Sequence, residues 1–277
     1  ATFTNQGTLS ALSGATLALS ATNWSNAVTG TISGTGATLN FNGAWSNAGT
    51  VTLSSSTLNL GGTFSTAGIG TINRTSSTLN VTGTLNNTGA TLTVGTGTAL
   101  GILNLVSGTI QGGTVQETAG TGLVFNTTGT LNGVTLRGVL DLSGTNNTAR
   151  ILNGLTLLTE AGGLGGVANV TGANATLVFD STSTASFNNA TINLGSATTA
   201  GNLNIDGAAT LTLGAGVTVQ GTGNIGNQSF VGGTATLINQ GTISANLSGK
   251  TLTFSGNGVA TFTNQGTLSA LSGATLA

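Results

Sequence analysis

Nine side chains carry charge: Arg74, Arg137, Arg150, Lys250, Asp141, Asp180, Asp206, Glu117 and Glu160, for a net charge of −1. Hydrolysis or elimination on a polysaccharide needs two or three carboxylates converging on one face with Arg or Lys beside them. Asp141, Asp180 and Asp206 are widely and unequally spaced along the chain, so nothing obliges them to share a face. The sequence has no His to act as a base and no Cys to act as a thiolate. Glu117, Arg137 and Glu160 recur at nearly equal intervals. They are compatible with a salt-bridged column on an outer surface, worth ~0–1 kcal/mol per exposed pair, or with separate solvated charges. Gly162-Gly-Leu-Gly-Gly166 has the glycines of a calcium-binding roll without its Asp, and reads as a corner or insertion. Gly95-Thr-Gly97 and Gly221-Thr-Gly223 are followed by no Lys, so they read as corners, not phosphate cradles. No catalytic, cofactor-binding or metal-binding residue is assigned, and no cofactor is implied.

Uncharged polar groups suggest weaker chemistry. Thr-x-Thr pairs at 2–4, 50–52, 91–93, 210–212, 251–253 and 261–263 do not recur at a constant interval, which argues against a flat water-ordering array. Thr is a good strand residue and needs no further explanation there. Asn-x-Ser/Thr triplets such as Asn73-Arg-Thr75 and Asn80-Val-Thr82 follow from the abundance of Asn and Thr. Trp24 and Trp45, the two Trp residues, are a sugar platform if exposed side by side and structural if buried. Sparse charge leaves no basic footprint for nucleic acid, and no apolar run approaches the ~18 residues of a membrane span.

The elements that carry these groups are set by repetition. Ala1 to Ala18 (ATFTNQGTLSALSGATLA) recurs letter for letter as Ala260 to Ala277. The sequence therefore reads as one long unit, 1–259, followed at 260–277 by the beginning of an identical one. Inside the unit a shorter period of about 19 to 25 residues, the length of one solenoid coil, places Phe3, Trp24, Trp45, Phe64 and Leu85 in one column. Asn5, Asn26, Asn47, Thr66 and Asn87 follow two places later. The column loosens through Ile110, Leu131, Ile151 and Phe187, then returns at Leu237 and Phe262. A second column reads Ala-Thr-Leu-Ala-Leu19, Ala-Thr-Leu-Asn-Phe41, Ser-Thr-Leu-Asn-Leu60 and Ser-Thr-Leu-Asn-Val81.

Each member alternates apolar and polar residues, the signature of a strand with one buried face. Pro is absent, and Lys and Glu are too few to clothe surface helices. Asn42-Gly43, Asn132-Gly133, Asn153-Gly154 and Asn257-Gly258 supply corners that accept positive φ. These features predict an all-β parallel β-solenoid, one short repeat per coil and about twelve coils per long unit. A string of sandwich domains needs no stacked identical columns. Within the solenoid, Asn5, Asn26, Asn47 and Asn87 are either an amide ladder along the axis or residues favouring a left-handed corner. The aromatic column reads as a corner filled by stacked rings.

The pattern N-x-G-T-[VIL] followed by [AS]-T-L-N-[FLV], strongest over 1–94 and 234–277, resembles the repeats of filamentous-haemagglutinin-like and autotransporter-type bacterial adhesins. The resemblance implies a right-handed β-helix on a large secreted or cell-surface protein whose work is reach, adhesion, aggregation or matrix building. The letter-perfect long repeat departs from the degenerate repeats of those adhesins. The expected function is a structural extracellular fibre or stalk, not an enzyme. The alternatives are an adhesin shaft that grips glycan along its polar face and, more remotely, a β-helical lyase or hydrolase. The solenoid is expected to be uncapped at both ends and to meet further copies of itself, covalently in tandem or end to end. Lateral bundling, and contact with a glycan or cell surface, are expected of its polar sides. No nucleic-acid partner and no membrane insertion are expected.

Overall fold

A computed structural model describes residues 1–180, 185–187, 189–255, 257–271 and 273–277. The strands pair in parallel and stack as a β-solenoid of about twelve turns. Among the described residues the one α-helix is a single turn, Thr66–Ile69. The chain divides into two compact units, Ala1–Val124 and Phe125–Ala277.

In the first unit the coils stack through three ladders, and the first four coils contribute a strand to each. The first ladder stacks Thr2–Asn5, Asn23–Asn26, Ala44–Asn47, Thr63–Ser65, Thr84–Asn86 and Thr109–Gln111. The second stacks Thr8–Ala11, Thr31–Thr35, Thr50–Ser54 and Thr71–Thr75. The third stacks Thr16–Leu19, Thr38–Phe41, Thr57–Leu60, Thr78–Val81 and Leu103–Leu105. Their alternation explains the core. On the third ladder Leu17, Leu39, Leu58 and Leu79 lie in one column, and Leu19, Phe41, Leu60, Val81 and Leu105 in the next. From Leu39 and Phe41 onward both columns are essentially without solvent. Each such Leu stabilises the fold by ~1.5–3 kcal/mol relative to exposure.

Corners are built where a side chain cannot fit. At Gly62 (φ +61°) an added Cβ would lie 1.9 Å from the Gly43 carbonyl oxygen, so consecutive coils touch there through backbone. Gly43, Gly133 and Gly154 have the positive φ expected of them. Gly258 does not; its space is instead closed by Gln228 Cγ and the Gly226 carbonyl, 2.6 and 2.7 Å from a Cβ built there.

The second unit likewise has three ladders. One begins with Thr128–Arg137 and Thr148–Leu158 and continues through Thr176–Phe179, Gly201–Ile205, Gly223–Ile225, Thr251–Phe254 and Thr275–Leu276. Another runs from Val139–Asp141 to Thr267–Ala270. The last runs from Ala185–Phe187 to Val259–Asn264. Some coils here are longer than the sequence period allows: Thr148 pairs with Thr176, and Gly223 with Leu252. A count carried over from the regular coils of the first unit therefore slips. Phe187, aligned with Ile151 by that count, pairs with Leu213, while Ile151 pairs with Phe179.

The duplicated segment makes the same coil in both units. Residues 2–5, 8–11 and 16–19 form one strand on each ladder of the first unit. Their copies occupy Val259–Asn264, Thr267–Ala270 and Thr275–Leu276 of the second. The first copy pairs with the coil that follows it, Phe3 against Trp24, and the second with the coil that precedes it, Phe262 against Leu237.

Candidate functional site

Phe3, Trp24, Trp45, Phe64 and Leu85 sit at equivalent positions on the first ladder of the first unit. Trp24 and Trp45 stack with centroids 5.6 Å apart and planes at 15°; Trp45 and Phe64 stack at 4.5 Å and 17°. Phe41 meets both indoles edge-on at 4.9 and 5.2 Å. The indole N–H groups donate to the carbonyls of Asn42 and Gly61 at 2.7 and 2.8 Å, which satisfies the one polar atom each ring brings inside. Both Trp residues are buried and offer no face to a sugar.

Two places along, amides run parallel to the rings. Asn5 Nδ2 donates to Asn26 Oδ1, and Asn26 Nδ2 to Asn47 Oδ1, each at 2.7 Å. Asn47 ends the run by donating to the carbonyls of Ile69 and Thr71. Thr66 does not continue it. The strand stops at Ser65, whose hydroxyl accepts from Gly68 N and caps the one-turn helix. Thr66 donates to Asn87 Oδ1 at 2.6 Å, and Asn87 donates to the carbonyls of Gly112 and Thr114. None of these four Asn residues has positive φ, so their place is set by the ladder and not by a left-handed corner.

A second amide ladder lies on the outer, half-buried side of the third ladder. Asn104 donates to Asn80, Asn80 to Asn59 and Asn59 to Asn40, at 2.7 to 3.1 Å. In the second unit Asn246, Gln220, Asn193 and Asn169 make the same chain. Its signal in the sequence is the recurring third place of Thr-Leu-Asn.

The charged residues are placed by backbone needs. Glu117 is fully buried, not on an outer surface, because its register with Val94 puts it in an inward column. Its carboxylate accepts from Gly122 N and Leu123 N at 3.0 and 2.8 Å. Arg137 and Glu160 are exposed in the second unit. Asp180 and Asp206 follow the paired residues Phe179 and Ile205, so they stand one coil apart in one column. These two acids thus converge further than their sequence spacing demands. Asp180 is paired with Arg150, whose guanidinium also lies over the Phe230 ring at 5.0 Å. Asp206 accepts from Ser229 N, Phe230 N and Val231 N and holds that loop down. Asp141 lies on another ladder and accepts from Ser143 N. Among the described residues no group of three His, Cys, Asp or Glu could hold a metal ion.

One inward position holds a cation. The second ladder of the first unit brings Ala11, Gly34, Leu53 and Arg74 into one column. Ala11 and Leu53 are buried core; Arg74 is only partly covered. A guanidinium stacked under another coil would lose its hydration without a counter-charge, at a cost of several kcal/mol. The ladder ends there. Thr71–Thr75 is its edge strand, and the corresponding strand of the next coil, Thr91–Gly95, pairs onward with Thr114–Thr118 instead. Beside the edge opens a cleft of about 940 Å³, walled by Leu53, Ile72 and Ser77 on one side and by Leu100, Gly101 and Ile102 on the other. Arg74 Nη1 donates to the Ser77 carbonyl at 3.1 Å. Burial pulls the guanidinium pKa below its ordinary value. In the sequence Arg74 counts only as one of nine charges, although Thr-Ile-Asn-Arg-Thr puts Arg where the alternation calls for an apolar residue.

The fold defines the class of the protein as a tandem-repeat parallel β-solenoid. No known family, curated protein or solved structure matches the chain significantly, so the adhesin likeness rests on repeat pattern alone.

Proposed function

We propose that the protein is a structural filament: an extracellular or cell-surface fibre or stalk built from tandem β-solenoid units, serving adhesion, cell–cell aggregation or a matrix. One observation carries the reading. The duplicated segment pairs forward in one copy and backward in the other. A coil of this sequence inside an array has both edges matched in register, with its Phe between a Leu-bearing coil and a Trp-bearing one. Parallel ladders then satisfy the backbone across the junction, and no unpaired edge or apolar end arises between units. Each unit of about twelve coils adds ~55–60 Å of length at the ~4.8 Å strand spacing. With so few charges along the chain, sides lined by Asn and Thr favour bundling through hydrogen bonds over ion pairing.

Fibre diffraction and cryo-electron microscopy of a chain carrying consecutive copies of 1–259 test this. A meridional reflection near 4.8 Å with an axial repeat of about 55–60 Å supports an uninterrupted solenoid. Separate beads joined by linkers refute it. Bundles that persist in salt support lateral contact through uncharged groups; dispersal by ~0.2 M salt points to ion pairs.

A further inference from the structure

We propose that the Arg74 cleft binds an extended acidic peptide, which adds as a strand to the edge of Thr71–Thr75 and seats a carboxylate on the guanidinium. The inference is independent of whether units join into a fibre. Three features meet at this place. The first is charge. Arg74 is the single Lys or Arg of Ala1–Val124, and the single Asp or Glu of that unit, Glu117, is bonded to a turn elsewhere. A guanidinium carries five N–H donors, and one hydrogen bond from Arg74 is made within the described residues. A carboxylate accepts two such donors side by side, and does so best where water is partly excluded.

The second feature is the backbone. Thr71–Thr75 ends its ladder, so half of its peptide groups face the cleft and not a neighbouring strand. Such an edge recognises an extended peptide by main-chain hydrogen bonds, with alternate side chains pointing inward. The third is the lining. The half-buried Leu100 and the 42% exposed Ile102 provide apolar contacts for inward side chains, over a floor closed by the buried Leu53 and Ile72. No aromatic ring lines the cleft among the described residues, which removes the stacking surface a glycan would use. A volume of about 940 Å³ accommodates a peptide of several residues.

Gly101 keeps the site open. A Cβ on Gly101 (φ +58°) would lie 1.8 Å from Arg74 Nη2, so glycine lets the far wall approach the guanidinium without pushing it aside.

The test is calorimetric titration of the full chain with acetyl-Thr-Val-Asp-Val-Thr-amide, its Asn counterpart, and the Asp peptide N-methylated at alternate residues. The Asp peptide is expected to bind about tenfold or more tightly than the Asn peptide, as a charge-assisted bidentate pair requires. Arg74→Gln should abolish that difference, and Arg74→Lys should restore part of it. Gly101→Ala should weaken binding; the contact it makes is with the end of a flexible side chain, and since Ala at φ +58° also strains the turn, an unchanged circular dichroism spectrum is required to show that the coil stays folded. Loss of binding on N-methylation supports strand addition. Equal affinity for Asp and Asn peptides, indifference to N-methylation, or no binding overturns the proposal. Binding of tetragalacturonate in place of the peptide also overturns it, by giving the cleft to an acidic saccharide.

Discussion

Truncating Asn26 to Ala measures what the buried amide ladder contributes. Asn26 has no solvent exposure. Its side chain accepts from Asn5 at 2.7 Å and donates to Asn47 Oδ1 at 2.7 Å and to the Gly30 carbonyl at 3.1 Å. After truncation the Gly30 carbonyl keeps Thr50 N, and Asn5 Nδ2 keeps the carbonyls of Gly7 and Thr31. Asn47 Oδ1 keeps no donor, and it lies under a coil where water cannot follow. An orphaned buried acceptor costs about 1–3 kcal/mol and each of the other two lost bonds about 0.5–1.5, giving ~4 kcal/mol in total. Asn59→Ala is the matched control, since Asn59 makes two comparable bonds on the half-buried outer ladder. Water replaces its partners there, and the expected cost is about 0–1 kcal/mol. Long repeat arrays need not unfold in one step. Local hydrogen exchange is therefore the assay, read at Ala48 and Gly49, whose amides bond to the Asn26 carbonyl. Protection should fall by about 10²–10³ in Asn26→Ala, the factor that ~4 kcal/mol of local stability sets, and by less than about tenfold at the corresponding coil in Asn59→Ala. If the two variants lose protection equally, the ladder is not a source of stability and the argument fails.

Three further changes separate other contributions. Gly62→Ala puts a methyl group 1.9 Å from the Gly43 carbonyl at φ +61°, so backbone must move; a local loss above about 4 kcal/mol, read as hydrogen exchange at Thr63, whose amide bonds to the Gly43 carbonyl, or failure to fold, is expected. Asp206→Ala removes the acceptor for three loop amides, and proteolysis should cut within Ser229–Val231 in the variant before the parent. Arg74→Leu returns an apolar residue to the Ala11–Leu53 column; a gain of about 1 kcal/mol in local stability, read by hydrogen exchange across Thr71–Thr75, and a smaller cleft by cryo-electron microscopy are expected.

Legibility followed coil length. Over the first five coils, nearly constant steps set Phe3, Trp24, Trp45, Phe64 and Leu85 in a column that the first ladder reproduces. Where coils lengthen, as from Thr148 to Thr176 and from Gly223 to Leu252, insertions at corners slide the count, and Phe187 falls in a different column from the one its spacing suggests. Thr66 shows the opposite failure: it keeps the column spacing yet leaves the strand, because Ser65 finds a cap partner in Gly68.

The sequence by itself determined the fold class, since alternation dictates which face of a strand is buried and a recurring period dictates stacking. It determined too that a repeated segment repeats its coil, because the local pattern is the same even where the two copies pair with different neighbours. Only the tertiary structure decided what the polar residues do. Whether Glu117 faces water or two turn amides depends on which inward column it joins. Whether Asp180 and Asp206 meet depends on how much chain the intervening corners absorb. The Arg74 cleft is the clearest case: a single charge in an inward column lies where a ladder ends, and the space that opens belongs to no residue's own pattern.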